Sequence, residues 1–444
     1  MEPIALILTA LAAGVTSAVQ EPVKMAAKDA YDFFKDLLKK KLEEKDHNEA
    51  VDLVDNPDEQ NKPLLEALLK EAGIDKMPDV IEAANKVTVI CRPHINTAPY
   101  LENYQSLLQE HYLIHIKAPD KMGKTRLVNH IFNSFNSDNY RKVLLSMEEF
   151  DIQDQAEAGR LFYRFCQEIS NKVDLHHNFI DDWKSIKSSG YKLKCIQYFE
   201  RFLLPSKNSP IVIVIDDLNK LDKDPTYKEF CSMLRAFYNR CARSSTQDHG
   251  SWSRLGLIIA HSRMPVLNEN ESPFSVGKVI RLPEFTVDEV QSLASQYEIQ
   301  MDPTTISLIM RLVGGHPYLI SLSFQHLKNP NHLNKLLRKI QSEQSSPGEQ
   351  SLLDAVHEEL EGIYTLHLNK LLRKIQVIRK IQVNGDQSLE QALYTVISTP
   401  NPIYISPLIA EELEEMGLIK LGSHYADPSC ELYRIFFQNT IRRA

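Results

Sequence analysis

The sequence predicts an α/β protein: a parallel β-sheet core with a helical lid and a C-terminal winged helix, preceded by a small all-helical N-terminal domain. Three stretches carry that expectation. Tyr112 to Phe135, YLIHIKAPDKMGKTRLVNHIFNSF, runs a β-type apolar segment through a Gly-containing loop into an amphipathic helical pattern. Pro210 to Asp217, PIVIVIDD, is a continuous β-branched run ending in two carboxylates, as a strand buried on both faces of a parallel sheet reads. Leu255 to Ala260, LGLIIA, is a third such strand, followed by His261, Ser262 and Arg263.

The loop of the first stretch has the makings of a nucleotide-triphosphate cradle. It comprises Ala118, Pro119, Asp120, Lys121, Met122, Gly123, Lys124 and Thr125, with Arg126 opening the helix beyond. A strand tip followed by a helix N-terminus points backbone N–H groups at the β- and γ-phosphates; Lys124 adds a point charge and the Thr125 hydroxyl can ligand Mg²⁺. Ala118 stands where the eight-residue phosphate-loop pattern has its first Gly, so the entry turn is atypical.

The second and third strands would end beside that loop. Asp216 is placed to hold Mg²⁺, and Asp217 to orient the attacking water or, more plainly, to cap the following turn. Arg263 is either a γ-phosphate sensor or an ordinary surface cation. Further on, Leu312 to Leu319, LVGGHPYL, joins a Gly-Gly turn to a Pro at a helix start, a hinge with a rigid entry or an ordinary helical corner.

Taken in order, RPHINTAPYLENYQSLL, HIKAPDKMGKTRL, DDWKS, IVIVIDDLNKL, LGLIIAHSR, SPFSVG, IRLPEFTVDEVQSLA, LVGGHPYL, GIYTLHL and CELYRIFF resemble the bacterial AAA-like domain ATPases, relatives of the STAND signalling NTPases. The resemblance covers roughly Val87 to Ile441. It implies a P-loop ATPase that uses ATP or ADP with Mg²⁺, and it accounts for Ala118-Pro119, which that family carries at this point. It also implies that Pro317 sits against the adenine. Two positions depart from it: the family usually has Asp-Glu where this chain has Asp216-Asp217, and more often His-Ser-Thr where Arg263 closes the triplet. Nucleotide binding is therefore expected, and hydrolysis is expected to be slow.

Composition fits a multi-domain protein of the cytoplasm. At 444 residues, with 43% hydrophobic and 25% charged residues, the chain is ordinary globular material. Its net charge of −8 argues against general nucleic-acid binding, which needs clustered Lys and Arg. The six cysteines contain no C-x-x-C pair, so neither a zinc site nor a disulfide framework is indicated. His176-His177 and the pair His111 and His115 lack companions at ligand spacing and read as non-metal.

Residues 1–86 read as helices, at Val23 to Lys45, Asn61 to Ala72 and Asp79 to Lys86, behind an apolar segment at residues 4–19. No positive charge precedes that segment, and it is shorter than the ~20 residues of a spanning helix. It is expected to be a core helix of its own bundle, with pairing to another chain or insertion in a bilayer as the alternatives. The domain resembles a helical module found ahead of effectors and NTPases in bacterial defence or signalling proteins.

The expected core spans residues 87–285 and the lid 286–345, its first helix capped by Thr286. A basic helical connector at 346–384 follows. The decapeptide HLNKLLRKIQ occurs at His332 to Gln341 and again at His367 to Gln376, a local duplication whose second copy reads as a solvated face or a contact for an acidic partner. Residues 385–444 are the expected winged helix, whose second helix carries Glu411, Glu412, Glu414 and Glu415 and so would repel a phosphate backbone.

The resulting expectation is an ATP-binding switch of signalling or defence, self-associating through its N-terminal domain and ATPase core, with an effector protein as a further partner. The alternatives are a DNA-associated ATPase of initiator or transposition type and a non-hydrolysing nucleotide-bound scaffold.

Overall fold

A computed structural model describes residues 3–4, 7–8, 10–11, 21–55, 61–91, 104–150, 159–173, 178–188, 190–223, 226–244, 250–263, 272–343, 349–379, 388–399, 401–422 and 425–441. They form two compact units, Met1–Ile95 with Ser292–Glu298 and Asn96–Gln291 with Ile299–Ala444.

The first unit is helical: α1 (Glu21–Glu43), α2 (Asn48–Asp55), α3 (Lys62–Glu71) and α4 (Pro78–Cys91). Phe34, Leu38 and Leu42 recur at four-residue spacing on α1 and pack with Val54, Leu65, Leu69, Val80 and Val87. Ile4, Ile7, Leu8, Ala10 and Leu11 belong to the same core, so the described residues of the N-terminal apolar segment are buried within their own unit. The rest of residues 4–19 lies outside the described residues. Among the described residues, no helix is long and apolar enough to cross a membrane. Helix α2 has no counterpart in the expected pattern, and α4 continues past Lys86, where a boundary was expected, because Val87 is one more apolar residue on its buried face.

The second unit is built on a five-stranded parallel sheet in the order β2-β3-β4-β1-β5. Its strands are β1 (Leu113–Lys117), β2 (Arg141–Ser146), β3 (Ile211–Asp216), β4 (Leu255–His261) and β5 (Lys278–Arg281). The three central strands are buried at every position, as expected for parallel strands covered on both faces. Leu127, Val128 and Ile131 of α6 (Lys124–Ser134) cover one face with Leu108 of α5 (Tyr104–His111). The other face carries an aromatic core that includes Phe162 and Phe165 of α7 (Arg160–Lys172), Phe179 and Trp183 of α8 (Phe179–Ser185), Tyr198 of α9 (Tyr191–Tyr198) and Phe230 and Phe237 of α10 (Tyr227–Ser244). The edge strands give no long apolar run: β2 alternates, and only Ile280 of β5 is buried.

Register fixes the edge that matters. Lys117 pairs with His261, Lys117 pairs on its other side with Arg281, and Ser146 pairs with Asp216, so the C-terminal tips of all five strands come level.

The helices α11 (Val287–Gln296), α12 (Pro303–Val313), α13 (Pro317–Leu327), α14 (Pro330–Glu343) and α15 (Glu349–Arg379) follow. Thr286 caps α11 in a reciprocal box: its Oγ1 accepts from the Glu289 N–H, and Glu289 Oε2 accepts from the Thr286 N–H at 2.8 Å. The 31-residue helix α15 runs within the expected connector. In its copy of the decapeptide His367, Leu368, Leu371 and Ile375 are buried, while Lys370 and Arg373 are exposed to solvent. The chain ends with α16 (Leu389–Ser398), α17 (Pro407–Glu415), a short antiparallel hairpin of β6 (Ile419–Leu421) and β7 (Ala426–Pro428), and α18 (Glu431–Ile441).

Candidate functional site

The loop between β1 and α6 turns into the helix at Gly123, whose φ of 98° is left-handed and which therefore needs to be Gly. Lys121, at φ 66°, is a second left-handed residue of the loop. Lys124 opens α6, and its Nζ donates to the Ala118 and Pro119 carbonyls at 2.9 Å each, so its charge sits inside the curve of the loop. Burial lowers the Lys124 pKa, opposed by Asp120, Asp217 and Asp216.

Asp216 closes β3 beside this helix start. Burial raises its pKa, the Thr125 hydroxyl hydrogen-bonds to it, and Asp217 raises the pKa further. Thr125 and Asp216 thus present a hydroxyl and a buried carboxylate whose ionised form lacks full compensation, a donor set suited to a hard cation. They are the residues that would hold Mg²⁺, which when bound neutralises charge on nucleotide phosphates. Asp217 donates its backbone N–H to Asp216 Oδ1 at 2.9 Å and takes a left-handed φ of 55°. The turn that follows is closed by the Lys220 N–H, which donates to the Asp217 carbonyl at 2.8 Å.

The third strand joins through Ser262, whose Oγ donates to Asp120 Oδ1 at 2.8 Å while its N–H donates to Asn219 Oδ1. Asp120 also accepts from Lys374 of α15, the second copy of the decapeptide. Burial opposes ionisation of Asp120, but Lys374, with Ser262 and Lys124, holds its carboxyl well below the usual range. The Lys121 ammonium lies 3.5 Å from the centroid of the Tyr318 ring. Tyr318 follows Pro317, the first residue of α13, whose N-cap is His316. The loop therefore meets the start of α13 on one side and α15 on another.

A second set of charges lies along the sheet edge. Lys117 Nζ is 2.9 Å from Glu415 Oε1 and 3.9 Å from Glu411 Oε1. Arg263 ion-pairs with Glu412, and Arg281 Nη1 is 3.6 Å from Glu414 Oε2. All four glutamates of α17 thus face cations at the tips of β1, β4 and β5. Immediately after α17, Gly417 has no room for a side chain, since a Cβ there would lie 2.9 Å from Pro119 Cβ in the loop.

The AAA-like domain family matches residues 84–439. The chain belongs to the AAA-like domain family. The Het-E N-terminal domain family matches residues 1–106. Nothing among the curated proteins matches the chain. Solved structures with a similar fold include a Walker-type ATPase of Pyrococcus abyssi, at 13% identity and a TM-score of 0.44 over 75% of this chain and 93% of that one. The Orc1 protein of Aeropyrum pernix, solved with DNA, follows at 12% identity and 0.34 over 80% and 94%. A STAND protein with a tetratricopeptide repeat sensor from Pyrococcus horikoshii gives 15% identity and 0.30; this chain covers 43% of that longer protein.

The AAA-like domain is a P-loop ATPase module, and its loop, Asp216, Asp217 and Arg263 share one edge of the sheet. Arg263 faces Glu412 and Pro317 adjoins the Lys121–Tyr318 contact. Arg126, half-buried, lies on α6 beyond the loop. Sequence reasoning placed Ser262 at this edge and missed Asn219, Lys117 and Lys374, three polar residues that organise it. The buried Lys at the end of β1 is the one with a local signal, a charge closing an apolar run.

Proposed function

We propose that this protein is an ATP-operated switch of bacterial signalling or defence, whose nucleotide state controls self-association of its N-terminal helical domain. The single observation that supports it most is the acidic helix α17 lying along the cations of the nucleotide edge, with Arg263 on Glu412 and Lys117 on Glu415. A γ-phosphate and a row of glutamates are alternative anions for the same cations. A ligand biases a two-state equilibrium only through differential contacts with the two states, and this competition provides them. In the closed state α17 would satisfy Arg263; with ATP and Mg²⁺ on Lys124, Thr125 and Asp216, Arg263 would turn to the γ-phosphate and α17 would leave.

Asp217 would then orient the water for a slow hydrolysis that resets the switch. The four glutamates of α17 also weigh against the DNA-associated reading, because a phosphate backbone would meet them as like charges.

The test is the mass of the full-length protein in ADP and in a non-hydrolysable ATP analogue. Assembly with the analogue alone, lost when residues 1–86 are deleted while nucleotide binding persists, supports the reading. Equal mass in both nucleotides overturns it, and assembly of the truncated core would move the oligomerising surface to the ATPase module.

A further inference from the structure

Away from the nucleotide edge, three helices bring together a ligand set that the switch does not use. His326 near the end of α13, His332 near the start of α14 and Glu359 in α15 place a ring nitrogen or carboxylate oxygen each within 4.8 Å of one another. His332 Nδ1 is 3.3 Å and His326 Nε2 is 3.7 Å from Glu359 Oε1. Ligand atoms held about 2.0–2.1 Å from a tetrahedral Zn²⁺ lie about 3.3 Å apart, so both separations are close to an edge of that polyhedron. His326 Nε2 is buried, and its contact with Glu359 Oε1 at 3.7 Å is longer than a hydrogen bond. The Glu359 side chain is 2% exposed.

We propose that His326, His332 and Glu359 form a site for a divalent transition metal, with Zn²⁺ the natural occupant and a water completing four-coordination. Two imidazoles and one carboxylate are a zinc donor set that leaves a position for solvent. The carboxylate is prepared for the role. Lys335 Nζ sits 2.7 Å from Oε2, with Lys339 at 3.9 Å from the same oxygen, which leaves Oε1 turned toward the histidines. A hydrogen-bonded outer oxygen is the usual second partner of a ligating carboxylate. The two ammonium groups also reduce the negative charge a dication would find, so the site should bind by its imidazoles as much as by its charge. His326 and His332 have ring centroids 3.9 Å apart, so the two imidazoles lie side by side next to the carboxylate.

The consequence is a staple. A metal here would fasten α13 and α14 to α15, the helix whose Lys374 reaches Asp120 in the phosphate loop. His332 comes from the first decapeptide and Lys374 from the second. The duplicated segment would therefore serve the metal in one copy and the loop in the other.

The test is calorimetric titration of Zn²⁺ into the full-length protein after treatment with a chelator, repeated on His332→Gln, His326→Gln and, as a control, His357→Gln. His332 is partly exposed, so its variant is expected to fold as the parent does. One saturable equivalent should be present in the parent and the control, and weakened about tenfold or more in both ligand variants. Co²⁺ in place of Zn²⁺ should give visible absorption bands of a four-coordinate nitrogen and oxygen site, absent from His332→Gln. No saturable equivalent in the parent, or one that both ligand variants retain at parental affinity, would overturn the assignment.

Discussion

Lys374 hydrogen-bonds to Asp120 across 254 residues of chain, joining the C-terminal part of a long helix to the phosphate loop. The same loop packs its Pro119 against Gly417, and the strand that leads into it ends in Lys117 beside Glu415. The nucleotide edge is thus in contact with α15 and with the end of α17, and changes at either should be felt in nucleotide binding.

Replacing Lys124 with Ala should remove ATP binding. The side chain is the fixed cation of the loop and also holds the Ala118 and Pro119 carbonyls, so its loss unpairs two acceptors as well as the phosphates. Affinity for a fluorescent ATP analogue should fall by about a hundredfold or more. Parental affinity would sink the phosphate-loop assignment.

Asp217→Asn should leave ATP binding intact and slow phosphate release by about a hundredfold. Asn tolerates the left-handed φ of 55° at this position, so the backbone is preserved and the comparison isolates the carboxylate. Turnover at the parental rate would return Asp217 to a purely conformational role.

The clasp has its own signature. Glu412→Gln removes one partly exposed ion pair, and such pairs contribute about 0.2–1 kcal/mol, so ATP affinity should rise by up to about fivefold. Changing Glu411, Glu412, Glu414 and Glu415 together to Gln should raise it further and make assembly independent of ATP. Weaker ATP binding in the quadruple variant would show that α17 supports the nucleotide site and does not oppose it.

Stability should fall on acidification. Burial lowers the pKa of His115 to about 4, of His316 to about 3 and of His367 to about 4, each opposed or aided by its neighbours only secondarily. In the unfolded chain each takes a proton below about 6.5. Their contribution is therefore complete above that pH and is lost as pH falls toward 4, at about 1.4 kcal/mol per pH unit for each histidine. Calorimetric Tm should be flat from pH 8 to 7 and drop steeply from 6 to 5. His316→Asn, which keeps a capping acceptor for the Tyr318 N–H, should shallow that slope; an unchanged slope would mean His316 is not held neutral by the fold.

The strands on which the site rests were legible for a local reason. β1, β3 and β4 are buried on both faces, so each needs an unbroken apolar run, and each run ends where a polar residue can reach the edge. Gly123, Lys124, Thr125 and Asp216 are legible because a left-handed turn, a phosphate charge and a cation ligand each demand a narrow choice of residue. Edge strands β2 and β5 face fewer neighbours and leave a weaker pattern.

The amino-acid sequence by itself determined the sheet core, the phosphate loop and the helical character of both ends, because periodicity and turn chemistry act within a few residues. Only the tertiary structure decided what the charges do. The identical decapeptides place Lys339 near Glu358 and Lys374 on Asp120, and four glutamates that read as a face hostile to phosphate are paired with Lys117, Arg263 and Arg281. A long charged side chain takes its partner from whatever the packing of distant elements brings within a few ångströms, and no local pattern in the chain encodes that distance.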